Sequence, residues 1–272
     1  MLRNLTDLTP AALAVVEFAI AQGEIVEKLR QHGAINQRKK RDGSVVTDGD
    51  TTIHQAAKTA LPKIINLPVC SEEDETPTPH GNEYWLIDPI DGTRSYCNNA
   101  HDSYAISIAL IRNCRPVLGV VVGPAIHTAY VAELGKGCWK LELPTGHIAK
   151  LGFHFTGTPL FAGYRNRTAG QERDLQRFLK QNGMMPHDVI PESSLLKFCY
   201  VADGRYAYGG SWEWFNDWDI AAADLIVHEA GGRFVNARTG KRFEYIGAGC
   251  ELNSPLAVAK GVTAHLATGD NQ

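Results

Sequence analysis

Apolar residues early in the chain recur with the period of a helix. Leu13, Val16, Ile20, Val26 and Leu29 share one side of a 3.6-residue repeat, Thr9-Pro10 opens the run and Gly33 closes it. A second helix is predicted from about Asp50, with Ile53, Ala57, Leu61 and Ile64 on its packed side. The pattern then shortens. LPVC (67–70) is a brief apolar run leading into the acidic SEEDE (71–75), and TPTPHGNE (76–83) reads as a loop. YWLID (84–88) reads as a buried strand, and SYAISIAL (103–110) alternates as a half-buried strand does. VLGVVVG (117–123) returns after a turn at 112–116, and residues 127–132 continue an antiparallel meander that GKG (135–137) ends.

The second half changes character. Helices are predicted at ERDLQRFLKQNG (172–183) and SSLLKFCYVADG (193–204), the latter packing through Leu196 and Cys199 or Tyr200. DIAAADLIVHEAGG (219–232) is the clearest helix, with Asp at its start and a Gly-Gly stop. RFVNARTGKRF (233–243) predicts two short strands around a turn. The composition shift near 145–160 divides the chain into an N-terminal α+β half, 1–150, and a C-terminal α/β half, 151–272.

Charge and composition narrow the partners. The 272 residues are 44% hydrophobic and carry a formal net charge of −3, so no basic face is offered to a nucleic acid polymer. The one basic run, Arg38-Lys39-Lys40-Arg41, reads as a solvated turn. Glu17 interrupts the only long apolar stretch near the N-terminus, and no run approaches the ~18 residues of a membrane span, which predicts a cytoplasmic protein without a membrane partner. Six cysteines lie far apart with no CxxC pair, as expected of reduced, partly buried thiols.

The chemistry gathers at WLIDPIDGTRSY (85–96). Pro89 keeps Asp88 extended at the end of a strand, so a turn can bring Asp91 back toward the same point. Gly92 permits close approach of a ligand, and Thr93 adds a hydroxyl. An Asp-Gly turn alone would be structural. SEED, however, can set Glu72 and Glu73 opposite Asp88 on a neighbouring strand, and WDIAA puts Asp219 at a helix N-terminus. Carboxylates so crowded repel one another, whereas two divalent cations would neutralise them and still attract a phosphate. The spacing of three, the mid-chain position and the proline argue against the DxDGT nucleophile of haloacid-dehalogenase-type phosphatases.

These stretches resemble the inositol monophosphatase superfamily. VVTDGD (45–50), SEED, DPIDGT (88–93), PVLGVVVGPA (116–125) and WDIAAADLIVHEAGG (218–232) follow the order of that family's elements. The resemblance implies an α/β layered αβαβα sandwich, a homodimer and a lithium-sensitive phosphomonoesterase that uses two or three Mg²⁺ ions. It further implies Glu72, Asp88, Asp91 and Asp219 as metal ligands with the Ile90 carbonyl. Glu72 and Thr93 would orient the attacking water, Asp50 would be hydrogen-bonded behind Thr93, the Gly92 and Thr93 amides would hold the phosphate beside Asp219, and Lys40 would lie near the metals. Val45 and Gly49 depart from the commoner residues, and YAYGGSWEWFND (206–217) lacks the family's usual pattern beside the substrate.

The similarity makes inositol monophosphate the expected substrate. The alternative is a 3′(2′),5′-bisphosphate nucleotide: SLLKFC (194–199), with Ser194 and Lys197, resembles the SxxKFC stretch of the nucleotidases, whose lysine helps bind the second phosphate. Their Tyr-x-Arg arginine maps to Ser211. Histidinol phosphate and a non-catalytic metal-binding relative are the more distant alternatives. Trp212, Trp214, Phe215 and Trp218 are candidates for stacking on a base or a sugar, or for core packing.

Overall fold

The computed structural model describes residues 2, 5–33, 35–40, 43–75, 81–98, 102–152, 154–163, 167–192, 194–246 and 251–266. Helix α1 (Pro10–Gln31) is capped by the Thr9 hydroxyl, which accepts from the Ala12 N–H. A short hairpin, β1 (Gln37–Lys39) and β2 (Val45–Thr47), precedes α2 (Asp48–Ile64). Strands β3 (Val69–Ser71) and β4 (Glu83–Asp91), the one-turn α3 (Thr93–Asn98), β5 (Ala105–Arg112), β6 (Arg115–Gly123) and β7 (Thr128–Glu133) follow. Beyond the predicted stop at 135–137 the meander continues through β8 (Gly137–Glu142) and β9 (His147–Lys150), because Gly135 and Gly137 take positive φ and turn the chain back. Strands β3 to β9 form one sheet in sequence order.

The rest of the chain supplies β10 (Phe161–Gly163), α4 (Ala169–Gln181), β11 (Val189–Pro191), α5 (Leu196–Ala202), β12 (Tyr208–Gly210) and β13 (Trp214–Asn216). Helix α6 (Asp217–Glu229), β14 (Arg233–Asn236), β15 (Glu251–Asn253) and β16 (Pro255–Val258) complete it. A five-stranded sheet takes the order β11-β10-β12-β16-β14, and β13 pairs with β15. The second strand predicted within 233–243 does not form. β14 instead pairs with β16, in the register Phe234 to Ala257.

Three clusters of buried residues define the layering. One joins α1 and α2 to the outer face of the seven-stranded sheet, through Val15, Ala19, Ile53, Ile87, Ile106 and Val120. The second joins the inner face of that sheet to α5 and α6 and to the five-stranded sheet, through Ala109, Phe198, Ala222, Phe234 and Ala257. The third packs α4 on the far side, through Phe161, Phe178 and Leu256. The order is therefore helices, sheet, helices, sheet, helix, as the resemblance implies.

Two predictions fail for one reason. β5 is buried on both faces rather than half-buried, and α5 is buried on every side from Leu196 to Val201, Lys197 included. Both lie inside a sandwich, where alternation separates large from small residues rather than apolar from polar. In register across β5, β6 and β7, Ala109, Gly119 and Ala132 form a row of small residues beneath α6. A Cβ on Gly119 would lie 2.7 Å from the Ala222 carbonyl oxygen, so helix and sheet touch backbone to backbone there. Among the described residues no helix is long and apolar enough to cross a membrane, and the five described cysteines are free. Cys250 lies outside the described residues.

Candidate active site

A β-bulge brings the first two carboxylates together. Residues three apart on a regular strand point to opposite faces. In β4, Asp88 pairs with Ser107 and Asp91 with Ala105, so three steps on one strand face two on its partner. The extra residue returns Asp91 to the face of Asp88. The strand therefore does not end at Asp88, as the sequence suggests; it continues through Pro89 to Asp91. That shared face looks toward α6, and the Ser107 hydroxyl donates to the Trp218 carbonyl at 3.1 Å, seating the first turn of the helix.

Asp219 enters from that turn. Its Oδ2 accepts the Asn216 N–H at 2.8 Å in a capping box, so the side chain is a helix cap as well as a member of the cluster. Oxygens of Asp88, Asp91 and Asp219 all lie within 4.8 Å of one another. Glu72 reaches Asp88 from the end of β3, where its N–H donates to the Ile87 carbonyl at 3.1 Å, and it acts on Asp88 by hydrogen bond and by charge. The structure thus joins all four predicted acids. Asp88 Oδ1 is buried with no hydrogen-bond partner, and an orphaned anionic oxygen within a cluster of hard oxygen donors is what a divalent cation fits.

Electrostatics agrees. Burial, then Glu72, Asp91 and Asp219, push the Asp88 pKa well up. Burial, then Asp91 and Glu72, do the same to Asp219. Asp91 rises only to about 6, because Lys197 and the Leu195 N–H offset its burial. Two lysines serve the site. Lys40 lies 3.1 Å from Glu72 and 2.6 Å from Glu73; burial works against its charge, but the two glutamates outweigh burial and raise its pKa. Of the predicted solvated run, Arg38 and Lys39 are exposed on β1, Arg41 lies outside the described residues, and Lys40 turns inward.

The DGT turn is tightly built. Gly92 has φ +83°, and a Cβ there would meet the Ser103 carbonyl oxygen at 2.7 Å, so the position demands glycine. The Thr93 hydroxyl donates to the Ile90 carbonyl at 2.9 Å. Asp50 does not back Thr93 through the contacts seen. Its Oδ2 accepts the Thr47 N–H at 2.7 Å and the Thr47 hydroxyl at 2.6 Å, because the same Thr-x-x-Asp spacing makes the capping box of α2. Burial, partly offset by Thr47, lifts the Asp50 pKa to about 7.

Of the residues expected near the substrate, Ser194 is buried and hydrogen-bonded. Its N–H donates to Ser103 Oγ, its Oγ accepts from the Ser103 hydroxyl and the Leu196 N–H, and its carbonyl accepts from Lys197 Nζ at 3.0 Å. Lys197 is fully enclosed, over the rings of Phe198 and Phe215. Burial lowers its pKa to about 8 against the pull of Asp91, Glu213, Asp219 and Glu192. Trp212, Phe215 and Trp218 pack in the interior, whereas Trp214 is 63% exposed. Ser211 donates to Glu213 at 2.9 Å. Ser103, Ser107 and Glu192 escaped the sequence reading. Ser103 and Ser107 carry a faint signal, small polar residues in an apolar strand stretch, and Glu192 carries none.

A sandwich of this kind, with buried acids clustered at a strand bulge, offers a divalent cation a set of hard oxygen donors. The pattern of the inositol monophosphatase family matches residues 7–268, and the chain belongs to that family. Among its relatives, the 3′(2′),5′-bisphosphate nucleotidase CysQ of Salmonella typhimurium is 33% identical over 76% of this chain and 82% of the relative. CysQ of Escherichia coli K12 is 32% identical over 81% and 87%. In fold, the chain resembles the crystal structure of CysQ from Bacteroides thetaiotaomicron, with TM-score 0.71 and 22% identity over 92% of this chain and 97% of that one. An IMPase from Thermotoga maritima gives TM-score 0.71 and 23% identity over 90% of each chain. The chain is a phosphatase.

Proposed function

We propose that the protein is a Mg²⁺-dependent phosphatase that removes one phosphate from a 3′(2′),5′-bisphosphate nucleotide such as adenosine 3′,5′-bisphosphate. The observation that carries the choice of substrate is the activity of the relatives at 31–33% identity, which are CysQ bisphosphate nucleotidases. The inositol-phosphate structures, at 23% or below, speak for the fold alone. That weighting reverses the expectation of inositol monophosphate drawn from overall motif similarity. The enclosed Lys197 supports the same reading, since a positive charge in a low-dielectric setting beside Asp91 favours the more highly charged ester. SLLKFC therefore counts for the nucleotide, with the lysine acting through its field.

Glu72, Asp88, Asp91, Asp219 and the Ile90 carbonyl would hold the metal, two or three ions in all. Bound there, Mg²⁺ supplies charge neutralisation, water activation and support for the leaving oxygen. With its hydrogen directed at the Ile90 carbonyl, the Thr93 hydroxyl would offer lone pairs to a water, and Glu72 would take that water's proton. The Gly92 and Thr93 amides, at the turn into α3, would receive the phosphate. Direct competition tests the reading: with Mg²⁺ present, kcat/KM for adenosine 3′,5′-bisphosphate exceeds that for inositol 1-phosphate at least tenfold. The reverse order would restore the inositol reading, and no turnover of either would favour a non-catalytic relative.

A further inference from the structure

Glu72 sits inside a four-residue turn, 71–74, fastened by its own end residues and by two side chains of α2. The turn closes where the Asp74 N–H donates to the Ser71 carbonyl at 3.1 Å, leaving Glu72 and Glu73 as its central residues. The Asp74 carboxylate accepts the Ser71 N–H at 2.9 Å, and the fully buried Ser71 hydroxyl accepts the Glu73 N–H at 3.2 Å. Ser71 Oγ also lies 3.0 Å from His54 Nδ1. Burial, opposed by Asp74 and aided by Lys58, holds the His54 pKa below its usual value, so the ring is neutral near pH 7. In one tautomer of the neutral ring Nδ1 accepts the Ser71 hydroxyl hydrogen and in the other Nδ1–H donates to Oγ, and either way the bond ties Ser71 Oγ to α2. One turn further along α2, Lys58 Nζ donates to the Val69 carbonyl at 2.7 Å and lies 2.6 Å from Asp74.

His54 and Lys58, four apart, face the turn from the same side of α2. Lys58 holds the start of β3 through Val69 and the last residue of the turn through Asp74. His54 fixes the hydroxyl that orients its middle. We propose that His54 is a positioning residue for the cation site: by holding Ser71 Oγ in the orientation that receives the Glu73 N–H, it keeps Glu72 turned toward Asp88. This rests on the metal-dependent reading above. It adds that affinity for the cation is set partly from a helix that contributes no ligand, as outer partners of metal ligands commonly do.

The test is a Mg²⁺ titration of the whole protein by calorimetry, with activity read separately. His54→Ala weakens Mg²⁺ binding about tenfold, near the lower end of such outer-partner effects. The KM for the phosphate ester at saturating Mg²⁺ stays within twofold. His54→Asn, whose Oδ1 can accept from Ser71, recovers most of the affinity. Ser71→Ala reproduces the loss, and the double variant is no weaker than either single one. If His54→Ala does not fold, Ser71→Ala and His54→Asn carry the comparison. Wild-type affinity in His54→Ala, or equal loss in His54→Ala and His54→Asn, overturns the proposal. Wild-type protein that binds no Mg²⁺ overturns the metal-dependent reading and this inference with it, an outcome distinct from binding that ignores His54.

Discussion

Replacing Asp88 by Asn should stabilise the protein in the absence of metal and disable it in its presence. Asp88 shares a 4.8 Å neighbourhood with Asp91 and Asp219, and two unit charges at that separation repel by about 3 kcal/mol at an effective dielectric of ~20. The native state holds protons there as well: burial, offset by Lys197 and the Leu195 N–H and reinforced by Glu72, lifts Asp91 from 3.8 to about 6, a change equivalent to about 3 kcal/mol. The sign follows. Between pH 3.8 and about 6 the folded chain binds more protons than the unfolded one, so the metal-free protein loses stability as pH rises. Asp88 and Asp219 extend that loss to higher pH. At pH 8 in EDTA, Asp88→Asn should gain about 2 kcal/mol, or ~4–8 °C in Tm, and the gain should shrink toward pH 5. Mg²⁺ at a hundredfold its Kd should stabilise the wild type by about 2.7 kcal/mol and the variant far less, with activity nearly abolished. Thermal melts at pH 5 and 8, with EDTA or Mg²⁺, decide it. A variant that melts lower than wild type at pH 8 in EDTA, or keeps the full Mg²⁺ increment, refutes the argument.

Other outcomes follow from single contacts. Gly92→Ala forces a Cβ against the Ser103 carbonyl at positive φ and should cost about 2–4 kcal/mol, read by urea denaturation, with turnover lost beyond the loss of folded protein. Lys197→Met removes a buried charge beside Asp91 at similar volume; the KM for the bisphosphate nucleotide should rise more than that for inositol phosphate, and an equal rise removes the lysine from substrate choice. Lithium should inhibit at Mg²⁺ concentrations that support turnover, and insensitivity would count against the metal arrangement implied by the resemblance.

Much of the molecule was legible because several elements have one wet and one dry side. Helix α1 announces itself through Val16, Ile20 and Val26, and α2 through Ile53, Ala57 and Leu61, since each packs on a sheet along one stripe. Sandwiched elements lose that signal: Lys197 within SLLKFC looks like a solvent-facing break in an apolar face, yet it is enclosed. The site was legible in its residue types and not in its geometry. Asp88 and Asp91 do lie together, but a strand-end turn was expected where the chain inserts one residue and continues. Asp50 shows the reverse limit, because one Thr-x-x-Asp spacing serves equally as a helix cap and as a link toward the DGT turn.

Gly119 holds no ligand and lies on a strand that supplies none of the four acids, yet it decides how deeply α6 can sink onto the sheet. A methyl group added there would lift the helix like a shim under a beam, and the aspartate at its tip would ride outward from its two companions on β4. Ion affinity in this architecture can therefore drift by substitutions in the floor beneath the helix, leaving every acid in place and every signature motif intact.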